Sequence, residues 1–527
     1  MPLTDKDIVE AFEVVVPEVA RQHATPGLNL AIARHGEVIW EAGEGYADLE
    51  LQAPMTPETV NRSGSMGKVY TATAVMQLVE RGIIDLHERA DAHLPFDIDN
   101  PLGGGDVTVW HLLTHTSGLM GNGACSSFDE PTPLEEHLAE DYARGHVDFY
   151  PQMQIPTWSA PVGEKPQYSN TGIATLGLIV ANANPEGLAY SEYVQRHVMD
   201  PLGMTSSQYP PVQNRRHIRP ELFERLSTGY AQLGSGVHVP TPPVYFADHP
   251  AGTALITPGD HVRLLLAYLE GGTLDGHELL REETVEQMLT GQEVSQLHEG
   301  IDLGLVWMLR GVGTDLESFG HNGAHMWGWT NSARAFRKHR TAIVVSANHW
   351  NLFEGLHAAR YAEGDDLTAF LAWLLATDRP PSQHRGFRHP WAWKVSYVTG
   401  LVAANRYGPY LGIERPLTQG YLDAMVGGAR VLQEGRGGAR LWDADGFRAG
   451  VEDLSQVEHT IPATRAFLLS DRVQVSPAEM HLINGELLGP IGGAVVPGTD
   501  DSRTAISAAE WQHIESTGST GNEENTR

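Results

Sequence analysis

The first residues in the chain that could do chemistry together are a serine and a lysine three positions apart. Ser65 supplies a hydroxyl, which is a weak nucleophile and needs a base within hydrogen-bonding reach. Lys68 can be that base if burial or a neighbouring cation lowers its pKa. Apolar residues at helical spacing follow, and positions i and i+3 share one helix face, so we expect adjacent side chains. The pair indicates a serine hydrolase, but chance also produces this spacing.

Two further polar motifs follow in a meaningful order: Tyr168-Ser169-Asn170 and His321-Asn322-Gly323. With Ser65-Met66-Gly67-Lys68 they resemble the Ser-x-x-Lys, Tyr-x-Asn and Lys/His-x-Gly motifs of the serine β-lactamase and penicillin-binding protein superfamily. The resemblance is closest to its class C-like members, the family VIII carboxylesterases and the D-aminopeptidases. Connecting phrases extend it over about residues 8–376, among them HLLTHTSGL at 111–119, PLGM at 201–204 and PAGTALITPGD at 250–260.

The resemblance implies catalytic roles for three residues. Ser65 would attack a carbonyl and form an acyl-enzyme, and Lys68 would take the serine proton together with Tyr168. A phenol has a pKa near 10, so Tyr168 can accept a proton only beside a cation such as Lys68. Asn170 would hydrogen-bond to Lys68 or to the substrate. Without the family pattern, Tyr168 would read as an ordinary half-buried tyrosine.

The third motif would form one edge of the site. By the same resemblance, Gly323 and Ala324 start a strand, and the Ala324 N–H joins that of Ser65 as the oxyanion hole. His321 either borders the substrate or simply caps a strand. Trp327 is a candidate for substrate contact, and the nearby aromatic residues either line the site or belong to the core.

The substrate class follows from the histidine in this motif. Many β-lactamases and penicillin-binding proteins have a lysine there, which binds a carboxylate, whereas His321 is mostly neutral at pH 7 at its reference pKa. We therefore expect a carboxylic ester or lactone as substrate. The alternatives are an amidase, a D-aminopeptidase, a β-lactamase-type hydrolase, an acyltransferase with the same acyl-enzyme, or a non-catalytic scaffold.

Two glycines depart from the family pattern around the serine. Gly64 stands where alanine is common, and Gly67 stands where threonine or serine is usual. Because glycine lowers helix stability by up to about 1 kcal/mol, we expect a looser nucleophile turn. The Gly-x-Ser-x-Gly elbow of α/β-hydrolases is absent, since position 63 is serine.

Metals and cofactors are not expected. His111 and His115, like His321 and His325, have an i,i+4 spacing that metals can use, but no HExxH pattern occurs. The resemblance implies no metal. Cys125, the single cysteine, cannot form an intramolecular disulfide and is expected to be a packing residue in a reducing compartment.

Charge and hydropathy limit the partners. The formal net charge of −30 argues against a broad nucleic-acid or anionic-membrane surface. No apolar run reaches the length of a membrane span, and the acidic N-terminus does not resemble a signal peptide. The expected partner is a small-molecule ester or amide, and the expected location is the cytoplasm.

The elements that must position these residues suggest an α/β fold. Capping and periodicity predict helices over 4–20, 65–80, 109–115, 134–144, 171–183, 257–269 and 365–375. A hairpin is predicted from 28–34 and 38–42, and strands from 331–337 and 341–347. By the resemblance, they form a β-lactamase-like fold: an antiparallel sheet flanked by helices, with a helical subdomain.

Composition divides the chain further. The linker 378–382 contains paired prolines, so residues 1–378 are predicted to be the hydrolase domain and 379–496 a C-terminal accessory domain of unknown role. Residues 497–527 are polar and are predicted to be a flexible tail. Homo-oligomerisation through the accessory domain is left open.

Overall fold

The computed structural model describes residues 2–378 except 121–125, 128–129, 151–152, 233–237, 243, 293, 295–300, 326–327 and 352–361. The predicted accessory domain and tail lie outside the described residues and stay predictions. The chain divides into two units. Residues 13–368 form the larger one, and the described residues 2–12 and 369–378 belong to the smaller one.

The regular elements of the described residues follow one another closely. The helices are α1 (Asp5–Gln22), α2 (Lys68–Glu80), α3 (Val109–Leu113), α4 (Leu134–Arg144), α5 (Asn170–Ala183), α6 (Tyr190–Val194), α7 (Pro220–Phe223), α8 (Pro258–Leu269), α9 (Glu282–Leu289) and α10 (Ala362–Thr377). The strands are β1 (Gly27–Arg34), β2 (Glu37–Asp48), β3 (Ala53–Pro54), β4 (Asn61–Arg62), β5 (Ser126–Ser127), β6 (His146–Tyr150), β7 (Met153–Pro156), β8 (Tyr230–Gln232), β9 (His238–Pro240), β10 (Tyr245–Phe246), β11 (Leu255–Ile256), β12 (Thr273–Leu274), β13 (His277–Glu278), β14 (Asp302–Leu303), β15 (Met308–Arg310), β16 (Ser318–His325), β17 (Trp329–Phe336), β18 (Thr341–Ala347) and β19 (His349–Asn351).

The main sheet joins the two ends of the larger unit. Its eight strands have the order β14-β15-β16-β17-β18-β1-β2-β3, and every neighbouring pair is antiparallel. β18 is a run of small and β-branched residues, and all seven are buried. Such a run is typical of a central strand covered on both faces. β1 pairs with β2 on one side and with β18 on the other.

One helix packs on the sheet, and a group of helices surrounds α2, which begins at Lys68. α8 lies against β1, β2, β17 and β18, while α2 contacts α5 and α6. Residues 68–78 of α2 are all buried. A helix that is buried on all sides lies in the centre of a group of helices. The first turn of α2, which begins at Lys68, is therefore enclosed by protein.

Most predicted elements are confirmed by the structure. The hairpin is β1–β2, the helix over 134–144 is α4, and Thr257 caps α8 by accepting from the N–H of Asp260 at 3.2 Å. Several boundaries differ by a few residues, and one of these differences lies at the nucleophile. The predicted helix begins at Ser65, whereas the structure has a 3-10 turn, Gly64–Gly67, before α2 begins at Lys68.

The smaller unit is described only in part. Within it, the Leu3 N–H donates to Asp378 Oδ1 at 3.0 Å. The rings of Phe12 and Phe370 lie 5.3 Å apart between centroids. None of the helices in the described residues is long and apolar enough to cross a membrane.

Candidate active site

The nucleophile turn brings Ser65 and Lys68 together. Ser65 is half-buried in the 3-10 turn, and Lys68 is the first residue of α2. Lys68 Nζ lies 3.0 Å from Ser65 Oγ and donates to the Ala251 carbonyl at 2.6 Å. The i,i+3 spacing therefore produces the predicted contact, although across a 3-10 turn rather than within one α-helix.

The surroundings of Lys68 favour its neutral form. The side chain is fully buried, and burial lowers its pKa to about 7, against the opposing attraction of Asp248. Asp248 is buried too, and burial raises the pKa of its carboxyl to about 7, although Lys68 opposes the change. A lysine with such a pKa can accept a proton near neutral pH.

The Tyr168 ring lies beside the Lys68 ammonium group. Lys68 Nζ is 5.0 Å from the centroid of the Tyr168 ring. Two histidine rings flank the phenol, His115 at 4.7 Å and His321 at 6.1 Å between centroids. The three motifs thus converge on one location, as predicted.

His321 is a neutral group in this arrangement. It is buried in β16, and burial together with the charge of Lys68 lowers its pKa to about 3. Its Nδ1 lies 2.6 Å from the Asn322 carbonyl, which can only accept, so Nδ1 carries the proton and Nε2 is an acceptor. Among the described residues Nε2 has no hydrogen-bond partner. His321 does not cap a strand, because it lies within one.

β16 passes against the nucleophile turn through its last residues. Gly323 and Ala324 lie near the C-terminal end of β16, so the prediction that they start a strand is wrong. The strand begins earlier because Ser318 and the residues after it already pair with β17. A side chain at Gly323 would overlap the Ser63 carbonyl, and one at Gly64 would overlap the Ala324 backbone.

The prediction of a loose turn is also wrong. Gly64 has a φ of +53°, in the left-handed region that favours glycine. A Cβ on Gly67 would lie 2.9 Å from the Tyr209 hydroxyl and 3.0 Å from the Gly252 Cα. Both glycines permit a close approach of neighbouring chain, so the turn is tightly enclosed.

Asn331 is a site residue that the sequence motifs did not reveal. Its buried Nδ2 donates to the carbonyls of Arg62 at 3.0 Å, Ser63 at 3.2 Å and Gly323 at 3.3 Å. This amide connects β17, β16 and the chain leading into Ser65. Asp248 was missed as well, although it lies two residues before the PAGTALITPGD phrase.

Asn170 and the aromatic candidates fare differently. Asn170 begins α5, and its buried Oδ1 has no hydrogen-bond partner among the described residues. Of the two predicted partners, Lys68 is therefore not bound by this oxygen, and the substrate stays a prediction. Trp158 and Trp329 are buried, and the Trp329 N–H donates to Ser227 Oγ at 2.8 Å, which makes them core residues. Trp327 lies outside the described residues.

No group of three or more histidine, cysteine, aspartate or glutamate side chains that could hold a metal occurs within the described ranges. His321 and His325 lie on a strand, so their spacing is not a helical pair. His111 instead helps to cap α3, with its Nδ1 2.8 Å from Thr108 Oγ1. Cys125 is outside the described residues.

Comparison with known proteins places this geometry in a family. A family model described as Beta-lactamase matches residues 11–366. The chain belongs to the beta-lactamase family. The predicted resemblance and the predicted β-lactamase-like fold are therefore confirmed, and the three motifs lie within the matched range.

Relatives within the beta-lactamase family are distant. Penicillin-binding protein 4* of Bacillus subtilis (strain 168) is 28% identical over 222 residues, 42% of this chain and 45% of that protein. Esterase EstB of Burkholderia gladioli is 29% identical over 246 residues, 44% of this chain and 58% of that protein. The chain thus spans about half the length of these relatives. The octameric penicillin-binding protein homologue from Pyrococcus abyssi has the same fold, with a TM-score of 0.57, 23% identity, and coverage of 75% of this chain and 82% of that one.

Proposed function

We propose that this chain is a serine hydrolase that forms an acyl-enzyme on Ser65 and cleaves a carboxylic ester or lactone. The observation that carries the proposal is the 3.0 Å separation of Ser65 Oγ from Lys68 Nζ, on a lysine whose burial lowers its pKa to about 7. An activated nucleophile needs a base within such reach and with such a pKa.

The proposed reaction has two steps. Ser65 Oγ attacks the carbonyl carbon while its proton passes to neutral Lys68, beside which the Tyr168 ring lies. The proton then goes to the leaving alkoxide, and the carbon–oxygen bond of the ester breaks. In the second step, water gives a proton to the same base and attacks the acyl carbon. The bond between that carbon and Ser65 Oγ then breaks, and the base returns the proton to Oγ, which releases the acid and restores Ser65. The N–H groups of Ser65 and Ala324 would stabilise the oxyanion in both steps.

An uncharged substrate is favoured by the charge of the site. His321 is neutral and presents an acceptor, so it offers a carboxylate no positive charge. Because the pKa of Lys68 is lowered to about 7, a large fraction of the Lys68 side chains is neutral at neutral pH. Similarity to an esterase at 29% identity is consistent with this choice but covers less than half of the chain.

A pair of serine variants tests the nucleophile. Ser65→Ala is expected to abolish hydrolysis of a short-chain p-nitrophenyl ester, because no other hydroxyl takes its place. Ser63→Ala is the matched control: Ser63 lies in the same segment, but its hydroxyl donates to the Gly64 carbonyl at 3.1 Å. Undiminished turnover by Ser65→Ala would remove the proposal.

The substrate class needs a separate comparison. Steady-state kcat/KM values for the ester, for nitrocefin and for a D-alanyl anilide are measured side by side. The ester is expected to be turned over fastest. Fast amide or lactam cleavage with negligible ester turnover would replace the esterase by an amidase or a β-lactamase-type enzyme. Product partitioning to an added alcohol would indicate an acyltransferase.

A further inference from the structure

His115 is a buried residue that the proposed reaction does not use. It comes immediately after Thr114, the C-cap of α3, and is 1% exposed. Its backbone has a φ of +56°, in the left-handed region that costs a non-glycine residue energy. Such a conformation persists only where the surrounding contacts demand it, so the contacts of His115 are the place to look for a reason.

Those contacts hold the chain on both sides of Tyr168. The His115 carbonyl accepts from the Gln167 N–H at 2.6 Å, and its Nδ1 accepts from the Ser169 N–H at 3.2 Å. Between these two bonds, the His115 ring lies against the Tyr168 ring, 4.7 Å apart at an angle of 35°. One residue therefore binds the segment before, at and after the phenol.

The charge state of His115 suits this arrangement. Because Nδ1 accepts an N–H, it carries no proton, and the neutral ring has its proton on Nε2. Burial, with added repulsion from Lys68 and His321, lowers the pKa of His115 to about 3. The ring thus keeps its acceptor over the pH range in which Lys68 titrates.

From this geometry we propose that His115 is a positioning residue for Tyr168, one that fixes the phenol beside Lys68 and so supports proton transfer from Ser65. The inference rests on the proposed function, since it assigns Tyr168 a part in that step. His115 itself need not touch substrate. Its backbone conformation delivers a carbonyl and a ring acceptor to the same short segment.

Two variants separate the acceptor from the backbone. Glycine and asparagine both tolerate the left-handed conformation, but only asparagine keeps a side-chain acceptor near the position of Nδ1. His115→Gly is expected to lower kcat about 10²-fold through misplacement of the phenol, with KM changed by less than about twofold. His115→Asn is expected to recover about tenfold of this loss. Equal kcat values for the two variants would contradict a role for the acceptor.

A double-mutant cycle with Tyr168→Phe then asks whether His115 acts through the phenol. The readout is the single-turnover rate at which a fluorophosphonate labels Ser65, which remains measurable when steady-state turnover is slow. In the Tyr168→Phe background, His115→Gly is expected to change this rate by less than about twofold. A merely structural role predicts the same loss in both backgrounds, and that result would overturn the inference.

Controls keep the outcomes apart. His111→Asn changes the other histidine of the same segment, which caps α3, and it should leave the labelling rate within about twofold. Far-UV circular dichroism and urea unfolding report whether each variant folds. Absence of labelling at Ser65 in the unaltered chain would overturn the proposed function and the inference with it. If Ser65 is labelled but the His115→Gly and Tyr168→Phe substitutions lower the labelling rate by independent factors that multiply, only the inference about His115 is overturned.

Discussion

At the scale of single residues, the base depends on the balance between burial and one carboxyl group. Burial removes water from Lys68 and disfavours its ammonium form, while the nearby Asp248 favours that form. Neither effect is local in sequence, because Asp248 and the Ala251 carbonyl come from a turn far along the chain. The lysine is tuned by the fold rather than by its own motif.

Asp248→Asn is predicted to shift the pH dependence of activity. The base must be unprotonated, so kcat/KM rises with pH through the Lys68 pKa near 7. Because the Asp248 carboxylate raises that pKa, its removal moves the rising limb to lower pH. The measurement is kcat/KM for the p-nitrophenyl ester between about pH 5 and about pH 9. At each pH, the absorbance of the p-nitrophenol product is corrected for the ionised fraction of that product.

Asp260→Asn serves as the matched control for this shift. Asp260 is another buried carboxyl whose pKa is raised by burial, but its partners are Ser206, Ser207 and two arginines rather than Lys68. Its replacement should leave the limb in place. An unmoved limb in Asp248→Asn, or a move to higher pH, contradicts the prediction.

The motif residues could be predicted from sequence because family order ties them together. Ser65, Lys68, Tyr168 and His321 stand in recognisable phrases, and the structure brings them into one place. Asp248, His115 and Asn331 could not be assigned, since their importance lies in contacts between segments. Asn331, for example, donates to Arg62 across 269 positions of sequence.

At the scale of elements, one amide holds the nucleophile turn against the sheet. The Asn331 side chain on β17 donates to carbonyls of the turn-bearing segment and of β16. These carbonyls are buried, and a buried carbonyl without a partner costs free energy. The Asn331 side chain on β17 therefore holds the segment before Ser65 in position relative to β16, which carries the Ala324 N–H.

Asn331→Ala is predicted to impair both stability and catalysis. Loss of the amide should lower the free energy of unfolding by about 2 kcal/mol, and the displaced turn should lower kcat by at least about tenfold. Urea unfolding measures the first quantity and ester hydrolysis the second. Asn348→Ala provides a close match, because the buried Asn348 Nδ2 also donates to three carbonyls, those of Tyr46, Ala47 and Thr228.

Asn348→Ala should lose comparable stability while its kcat stays near that of the unaltered chain. If both variants lose the same proportion of kcat, the effect of Asn331 is a general consequence of destabilisation and not of its place beside the turn.

Element boundaries followed the local signals where those were strong. α4 and the cap of α8 agree with prediction because a helix of strong periodicity or a Thr-x-x-Asp cap is decided within a few residues. The 3-10 turn at Ser65 and the early start of β16 were not predicted. Both depend on β-sheet neighbours, since β16 extends only as far as its pairing with β17.

At the scale of the whole molecule, a buried, hydrogen-bonded carboxyl group joins distant parts of the larger unit. Glu363 on α10 accepts from the Thr25 hydroxyl, which follows α1, and pairs with His349 on β19. Burial alone would raise the pKa of the Glu363 carboxyl, but His349 outweighs it and holds that pKa well below its usual range. The carboxylate is therefore ionised and stabilising near neutral pH.

Glu363→Gln is predicted to lower the free energy of unfolding at pH 7 by about 2 kcal/mol, because it removes a buried carboxylate that is hydrogen-bonded to Thr25 and His349. The carboxylate contributes above its ordinary pKa, and the contribution is lost as pH falls through the lower folded value. The difference between the two proteins should therefore shrink in acid. Urea unfolding at pH 7 and at about pH 3 checks this.

Glu140→Gln is the exposed counterpart. Glu140 pairs with Arg144 at 2.7 Å, four residues on in α4, and both side chains are more than one-third exposed. Such pairs contribute little, so this variant should unfold with the unaltered chain. A difference for Glu363→Gln that grows in acid would reject the assignment of an ionised carboxylate.

The position of β1 has a consequence for how the protein folds. β1 pairs with β2, its neighbour in sequence, on one edge. Its other edge pairs with β18, far along the chain, where Leu28 is opposite Ala347. During synthesis, the first hairpin and the nucleophile turn emerge long before the strands that complete them. Contacts of such large sequence separation slow folding, and the open edge of β1 is a surface for mispairing in the meantime. Chain termination before β18 should therefore yield an aggregating fragment, with Ser65 present but never presented to a substrate.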